Sequence, residues 1–157
     1  MSDPEEKQAA VIAFLKSRLG PDAREQKTHI SIVLFGPNVV WKLKRAVALP
    51  YVDFSTVRSR LEDCERELAL NQRTAPTLYR RVRRVTRSGD GLDLDGVGEL
   101  VDAVVEMARF PEKDLFAHMA ARGALTGKIV ARLAKSSQLS IAPRVRSRGR
   151  APWECAG

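Results

Sequence analysis

The 157-residue sequence predicts an α+β domain, an antiparallel sheet packed on one long helix with short helices at its C-terminal end. Three observations carry that prediction. Two runs rich in β-branched and aromatic residues, HISIVLF (29–35) and VVWKLKR (39–45), flank the turn-forming Gly36-Pro37-Asn38 and read as a hairpin. Residues 56–74 carry an apolar stripe at Val57, Leu61, Cys64 and Leu68, the alternating three-and-four spacing of one helix face. The run VGELVDAVVEMARF (97–110) is apolar enough for a central strand, although the spacing at its beginning also suits a helix.

The remaining elements follow from local signals. At the N-terminus Asp3 can cap a helix, Pro4 fits its first position, and Glu5 and Glu6 suit the positive end of its dipole. Val11, Ile12, Leu15 and Leu19 form its buried stripe, and Gly20-Pro21 ends it. AVALPYVDFS (46–55) reads as an irregular connection, after which Ser55 or Thr56 can start the long helix. LYRRVRRVTR (78–87) reads as a strand with a basic outer face, and SGDGLDLDG (88–96) as a turn-rich hairpin connection. Pro111 opens a short helix over 111–123, followed by a second over ALTGKIVARLAK (124–135). From Ser136 onward no period is sustained, so an irregular, basic tail is expected. The implied division is a helix and linker at 1–27, a central unit at 28–110, helices at 111–135 and the tail at 136–157.

Composition narrows the function classes. A hydrophobic content of 44% argues against disorder, and no apolar stretch approaches the roughly 20 residues that span a bilayer. The acidic N-terminus lacks the basic flank and apolar centre of a secretory signal. Cys64 and Cys155 lie far apart without metal-ligand spacing, which favours a reduced, cytoplasmic setting. A net charge of +8 invites a polyanion, but it is concentrated in YRRVRRVTR and in a tail with four arginines against one glutamate.

Lys42 and Lys44 are two residues apart on a strand and so share a face, where a half-buried ammonium needs water or a carboxylate. The following helix offers Glu65 and Glu67 on opposite flanks of its stripe, and periodicity does not choose between them. Either lysine can equally be a strand position whose stem covers the sheet while its head reaches water.

In order along the chain stand THIS (28–31), WKLKRAV (41–47), VDFST (52–56), CERELALNQRTAP (64–76) and VEMARFP (105–111). This succession resembles the N-terminal part of the aminoglycoside-phosphotransferase-like kinases, in the branch often fused to a P-loop ATP-binding domain. There the corresponding segments read THIS, YKIKKPV, LDFST, CEEELRLNRRLAP and VRMRRFP, and the likeness covers roughly residues 28–135. The resemblance implies a protein-kinase-like N-terminal lobe that binds ATP. It makes Lys44 the phosphate-binding lysine, with Lys42 as the alternative, and favours Glu67 over Glu65 as the acid that orients it. It makes VEMARFP the hinge along adenine, with Val105, Met107 and Ala108 at the cofactor.

The likeness also has gaps. The His-x-Asp-x-x-x-x-Asn loop and the metal-binding aspartate of phosphoryl transfer have no counterpart in this sequence, nor do G-x-G-x-x-G or GxxxxGK[ST]. His29 and His118 begin no such loop. Glu106 stands where the family often has a basic residue, and Thr74 where it has leucine. The expectation is a truncated gene product with an unrelated or out-of-frame tail after about Lys135. It would retain weak or vestigial ATP affinity, lack ligands for the family's magnesium, and not transfer phosphate alone. The alternatives are a small basic nucleic-acid-binding module using Arg80, Arg81, Arg83, Arg84 and Arg87, or a protein-interaction module that pairs with itself through an exposed lobe face. With only 6% aromatics there is no stacking platform for bases, which disfavours nucleic acid.

Overall fold

The computed structural model describes residues 4–111, 119, 121–124 and 126–131. Most of the first C-terminal helix expected from the sequence, His118 and the whole tail therefore lie outside the described residues. The chain divides into two compact units, Met1–Ala124 and Leu125–Gly157, and residues 127–131 of the second are helical.

The first unit opens with helix α1 (Pro4–Leu19), ended by Gly20 at φ +102°, a left-handed conformation that glycine adopts without strain. Strands β1 (Arg24–Lys27), β2 (Ser31–Phe35) and β3 (Val39–Lys44) form an antiparallel meander. A small hairpin of β4 (Ala48–Leu49) and β5 (Val52–Asp53) leads to helix α2 (Val57–Asn71), whose N-cap Thr56 accepts a hydrogen bond from the Ser59 amide. Strands β6 (Tyr79–Ser88), β7 (Gly91–Leu94) and β8 (Glu99–Ala108) follow. The six-stranded antiparallel sheet has the order β1-β2-β3-β8-β6-β7, so β3 and β8 are its central pair. The α+β class with an antiparallel sheet is as the sequence predicts.

The sheet has a core on each face. Val11, Leu15 and Leu19 of α1 bury Ile32, Leu34, Trp41, Leu43, Val85 and Val104 on one side. Phe35, Val40, Ala103, Val105 and Met107 share the other with Cys64 of α2. The helix expected within 1–27 packs as one layer on this sheet, and residues 24–27, read as linker, are the edge strand β1. β1 carries no apolar residue because it has a neighbour on one side only; its charged Arg-Glu-Gln-Lys run guards a sheet edge. The turn-rich SGDGLDLDG contains β7, whose alternate residues Leu92 and Leu94 pack on the α1-side core. The helix-compatible beginning of 97–110 is strand from Glu99, paired with β6 from Arg87↔Glu99 onward. At Gly36 the β2–β3 turn meets the end of α1 closely: a Cβ there would sit 2.5 Å from Leu19 Cδ2 and force that side chain to shift. Among the described residues no helix is long and apolar enough to cross a membrane.

Candidate functional site

The alternation of β3 sends Val40, Lys42 and Lys44 to the α2 side of the sheet. On α2, Arg60, Asp63, Cys64 and Glu67 recur at helical spacing, and Cys64 is fully buried against the sheet. This stripe brings two carboxylates over the end of β3. Glu67 bridges the lysines, with Oε1 2.8 Å from Lys42 Nζ and Oε2 2.5 Å from Lys44 Nζ. Asp63 Oδ2 lies 2.8 Å from the same Lys44 ammonium, which also stands 5.7 Å from the centre of the Phe54 ring. Side-chain exposure is graded across the cluster: 5% for Lys44, 10% for Glu67, 24% for Asp63 and 27% for Lys42.

Two ammoniums and two carboxylates make this cluster formally neutral. Burial by itself would lower the Lys44 pKa, but hydrogen bonds to Asp63 and Glu67 outweigh it and hold the pKa above the ordinary value. Burial likewise pushes Glu67 up, yet the charges and hydrogen bonds of Lys42 and Lys44 win and hold its carboxyl below the ordinary value. The Tyr79 hydroxyl approaches Glu67 Oε1 at 3.5 Å; burial and that carboxylate push it up to about 12. Cys64 is also pushed up to about 12, chiefly by burial, so its thiol stays protonated and unreactive.

A second buried network begins one helical turn earlier. Arg60 Nε donates to Asp102 Oδ1 at 2.9 Å, and its other nitrogens reach the carbonyls of Phe54, Ser55 and Val101. Asp102 Oδ2 accepts from Gln8 Nε2 at 2.9 Å. Gln8 also donates to the Lys44 carbonyl and accepts from the Ala46 amide, so α1 fixes the backbone on both sides of Arg45.

Of the residues expected at the cofactor, Lys42, Lys44 and Glu67 come together, and Val105 and Met107 lie on the same sheet face. Val105 is the register partner of Lys42, and Met107 that of Val40. Glu65 is not in the cluster; it is 55% exposed, with Oε1 3.9 Å from Arg84. The Ala108 amide already donates to the Leu78 carbonyl at 2.8 Å, so that N–H is committed to the turn before β6. Asp63 and Tyr79 were absent from the sequence-derived set. The signal for Asp63 was its place four residues before Glu67, which puts both acids on one helix face.

The arginines of β6 do not form one free basic face. Arg81 and Arg83 reach the buried Glu106, at 3.1 and 3.5 Å, and Arg83 also pairs with Asp95 at 2.7 Å. Glu106 accepts from the Trp41 indole at 3.2 Å as well, so the off-pattern acid neutralises charge on the α1 side. His29 is exposed in the turn before β2. Two cavities lie elsewhere on the unit. One of about 580 Å³ is lined by Gln8, Thr56, Arg60, Arg87 and Asp102, and one of about 890 Å³ by Leu19, Arg24, Phe35, Pro37 and Arg109. Neither is lined by the paired lysines or Glu67; their chemistry, not cavity size, singles the cluster out.

No family model matches the chain, and no solved structure matches it. The curated proteins similar to it include Uncharacterized protein Rv2004c and Uncharacterized protein MT2060 of Mycobacterium tuberculosis and Uncharacterized protein Mb2027c of Mycobacterium bovis. Each is 30% identical over 102 residues, which is 65% of this chain and 18% of the relative. The chain therefore spans less than a fifth of the length of the curated relatives it matches.

Proposed function

We propose that this chain supplies the ATP-binding small lobe of a kinase-like small-molecule phosphotransferase, with Lys44 as the phosphate ligand and Glu67 as the acid that orients it. The observation that carries the reading is the Glu67 bridge, 2.5 Å to Lys44 and 2.8 Å to Lys42, between the central strand and the long helix. In protein kinases a strand lysine is held by a glutamate of the adjacent helix and presented to the nucleotide phosphates. Two features support the same reading. Lys44 ends a central strand, and Val105 and Met107 lie on the same sheet face of the neighbouring strand.

Nucleotide binding, rather than turnover by these residues alone, is the activity proposed. Within the 157 residues no His-x-Asp-x-x-x-x-Asn loop supplies a base or a metal-holding asparagine, so transfer and its magnesium require groups from elsewhere. A reducing, cytoplasmic setting fits the free, buried Cys64 thiol.

The test is thermal melting of the purified chain with millimolar Mg-ATP, beside Lys44→Met, which keeps the aliphatic stem, and Glu67→Ala. At tenfold excess over Kd, ligand binding adds about 1.4 kcal/mol, or a few degrees in Tm. The shift is expected in the parent chain and lost in both variants. Unchanged melting of the parent chain at millimolar nucleotide would sink the proposal.

A further inference from the structure

The cluster holds one carboxylate more than a lysine–glutamate pair needs. Lys44 has three N–H donors. Glu67 Oε2 and Asp63 Oδ2 lie at 2.5 and 2.8 Å, and the ammonium also lies against the ring of the buried Phe54. A phosphate oxygen approaching this ammonium, whose side chain is 5% exposed, therefore competes with two carboxylates already on it.

The two carboxylates are not equally displaceable. Glu67 is the more buried, bridges both lysines and meets the Tyr79 hydroxyl, so removing it strips three contacts at once. Asp63 is more exposed, and within the cluster it touches Lys44 alone. Its other oxygen, Oδ1, already lies 3.2 Å from the exposed Arg66 guanidinium, a partner able to hold the carboxylate after it leaves Lys44. The charge balance points the same way. With Asp63 in place the cluster is neutral; with Asp63 turned to Arg66, two ammoniums face one carboxylate and the site gains a net positive charge for a polyphosphate.

We propose that Asp63 is a built-in competitor for the phosphate position at Lys44, an autoinhibitory contact that a nucleotide's polyphosphate must displace to bind. This rests on the lobe reading above, and it names a residue that sets affinity at the site without being part of the lysine–glutamate pair. A merely structural Asp63 would weaken binding when removed. A competing Asp63 strengthens it.

The experiment is equilibrium titration calorimetry of the full chain with Mg-ATP and, separately, inorganic tripolyphosphate. The proteins are the parent, Asp63→Asn, Asp63→Ala, Lys44→Met and the double variant Asp63→Asn/Lys44→Met. Removing one nearby negative charge is expected to tighten both ligands about tenfold in each Asp63 variant. The double variant should bind no better than Lys44→Met. Asp63 variants that bind as the parent does, or more weakly, while Lys44→Met loses binding, overturn the competition and leave Lys44 as the phosphate ligand. Binding that Lys44→Met does not change, or no binding by any of the proteins, overturns the lobe reading and the competition together.

Discussion

Helix α2 carries two sets of charged side chains on its sheet-facing side, and they differ in what they leave available. At its start Arg60 meets Asp102 of β8; the two are 6% and 1% exposed, and Asp102 accepts from Arg60, Gln8 and the Ala103 amide. One and two turns later the Lys42–Lys44–Asp63–Glu67 cluster grades from buried to a quarter exposed. The first network joins α1, α2, β8 and the carbonyl of Lys44, with its carboxylate oxygens both occupied. The second has a carboxylate that can be exchanged and an ammonium, Lys42, partly open to water. The same helix face thus provides a fixed staple and, beside it, a site whose partners can change. The staple sets the position of β3 against α2, on which the short Lys44–Glu67 distance depends.

That contrast predicts its largest effect at the staple. Truncating one member of a buried, hydrogen-bonded ion pair leaves the other charge uncompensated and costs about 3–5 kcal/mol. Arg60→Ala and Asp102→Ala should each lose that much in urea denaturation, a large share of a typical domain's roughly 5–15 kcal/mol. A loss below about 1 kcal/mol would show that water replaces the missing partner and that the network is no staple.

The exchangeable cluster should respond less to mutation but visibly to pH. Glu67→Gln removes charge-assisted hydrogen bonds and should cost about 1.5–3 kcal/mol near neutrality. Its carboxyl is held below the ordinary 4.5, so the stability it contributes is present above that value and lost as pH falls through the lower folded-state pKa. Lys44 is held above the ordinary 10.5, so its contribution is present below 10.5 and lost as pH rises through the higher folded-state pKa. The Tm gap between parent and Glu67→Gln should therefore be level between those limits and close on both sides of them. A gap still open well below pH 4.5 would mean that Glu67 acts through packing instead of charge.

The two networks were unequally legible in the sequence. The shared face of Lys42 and Lys44 followed from strand alternation, the start of α2 from the capping pair Ser55-Thr56, and the central strand from the apolar run ending at Phe110. Glu67 was distinguished from Glu65 by motif order and not by spacing, because both flank the apolar stripe. The staple was not legible: Gln8, Arg60 and Asp102 are 42 to 94 residues apart and polar, so a hydropathy pattern assigns each of them to the surface. β1 and β7 were missed for a related reason. Edge strands need little apolar surface, and in both the turn or charge signal outweighed the strand signal. Asp63 was visible as a helix residue, but its contact with Lys44 depends on how α2 lies across β3, which spacing alone does not fix.

The smallest predicted effect is also the control for the comparison. Glu65 is two residues from Glu67 in sequence and would be the orienting acid if α2 were rotated. Here it projects away from the lysines, more than half exposed, and its contact with Arg84 is 3.9 Å between two solvated side chains. Pairs of this kind contribute about 0–1 kcal/mol because water and salt screen them. Glu65→Ala should thus change stability by about 0.5 kcal/mol or less, since alanine's helix propensity offsets part of the loss. It should leave the nucleotide-induced Tm shift intact, whereas Glu67→Ala abolishes it. If Glu65→Ala removed that shift and Glu67→Ala did not, α2 would have to present its other flank to β3 in solution, and the Glu67 bridge would not be the functional pair.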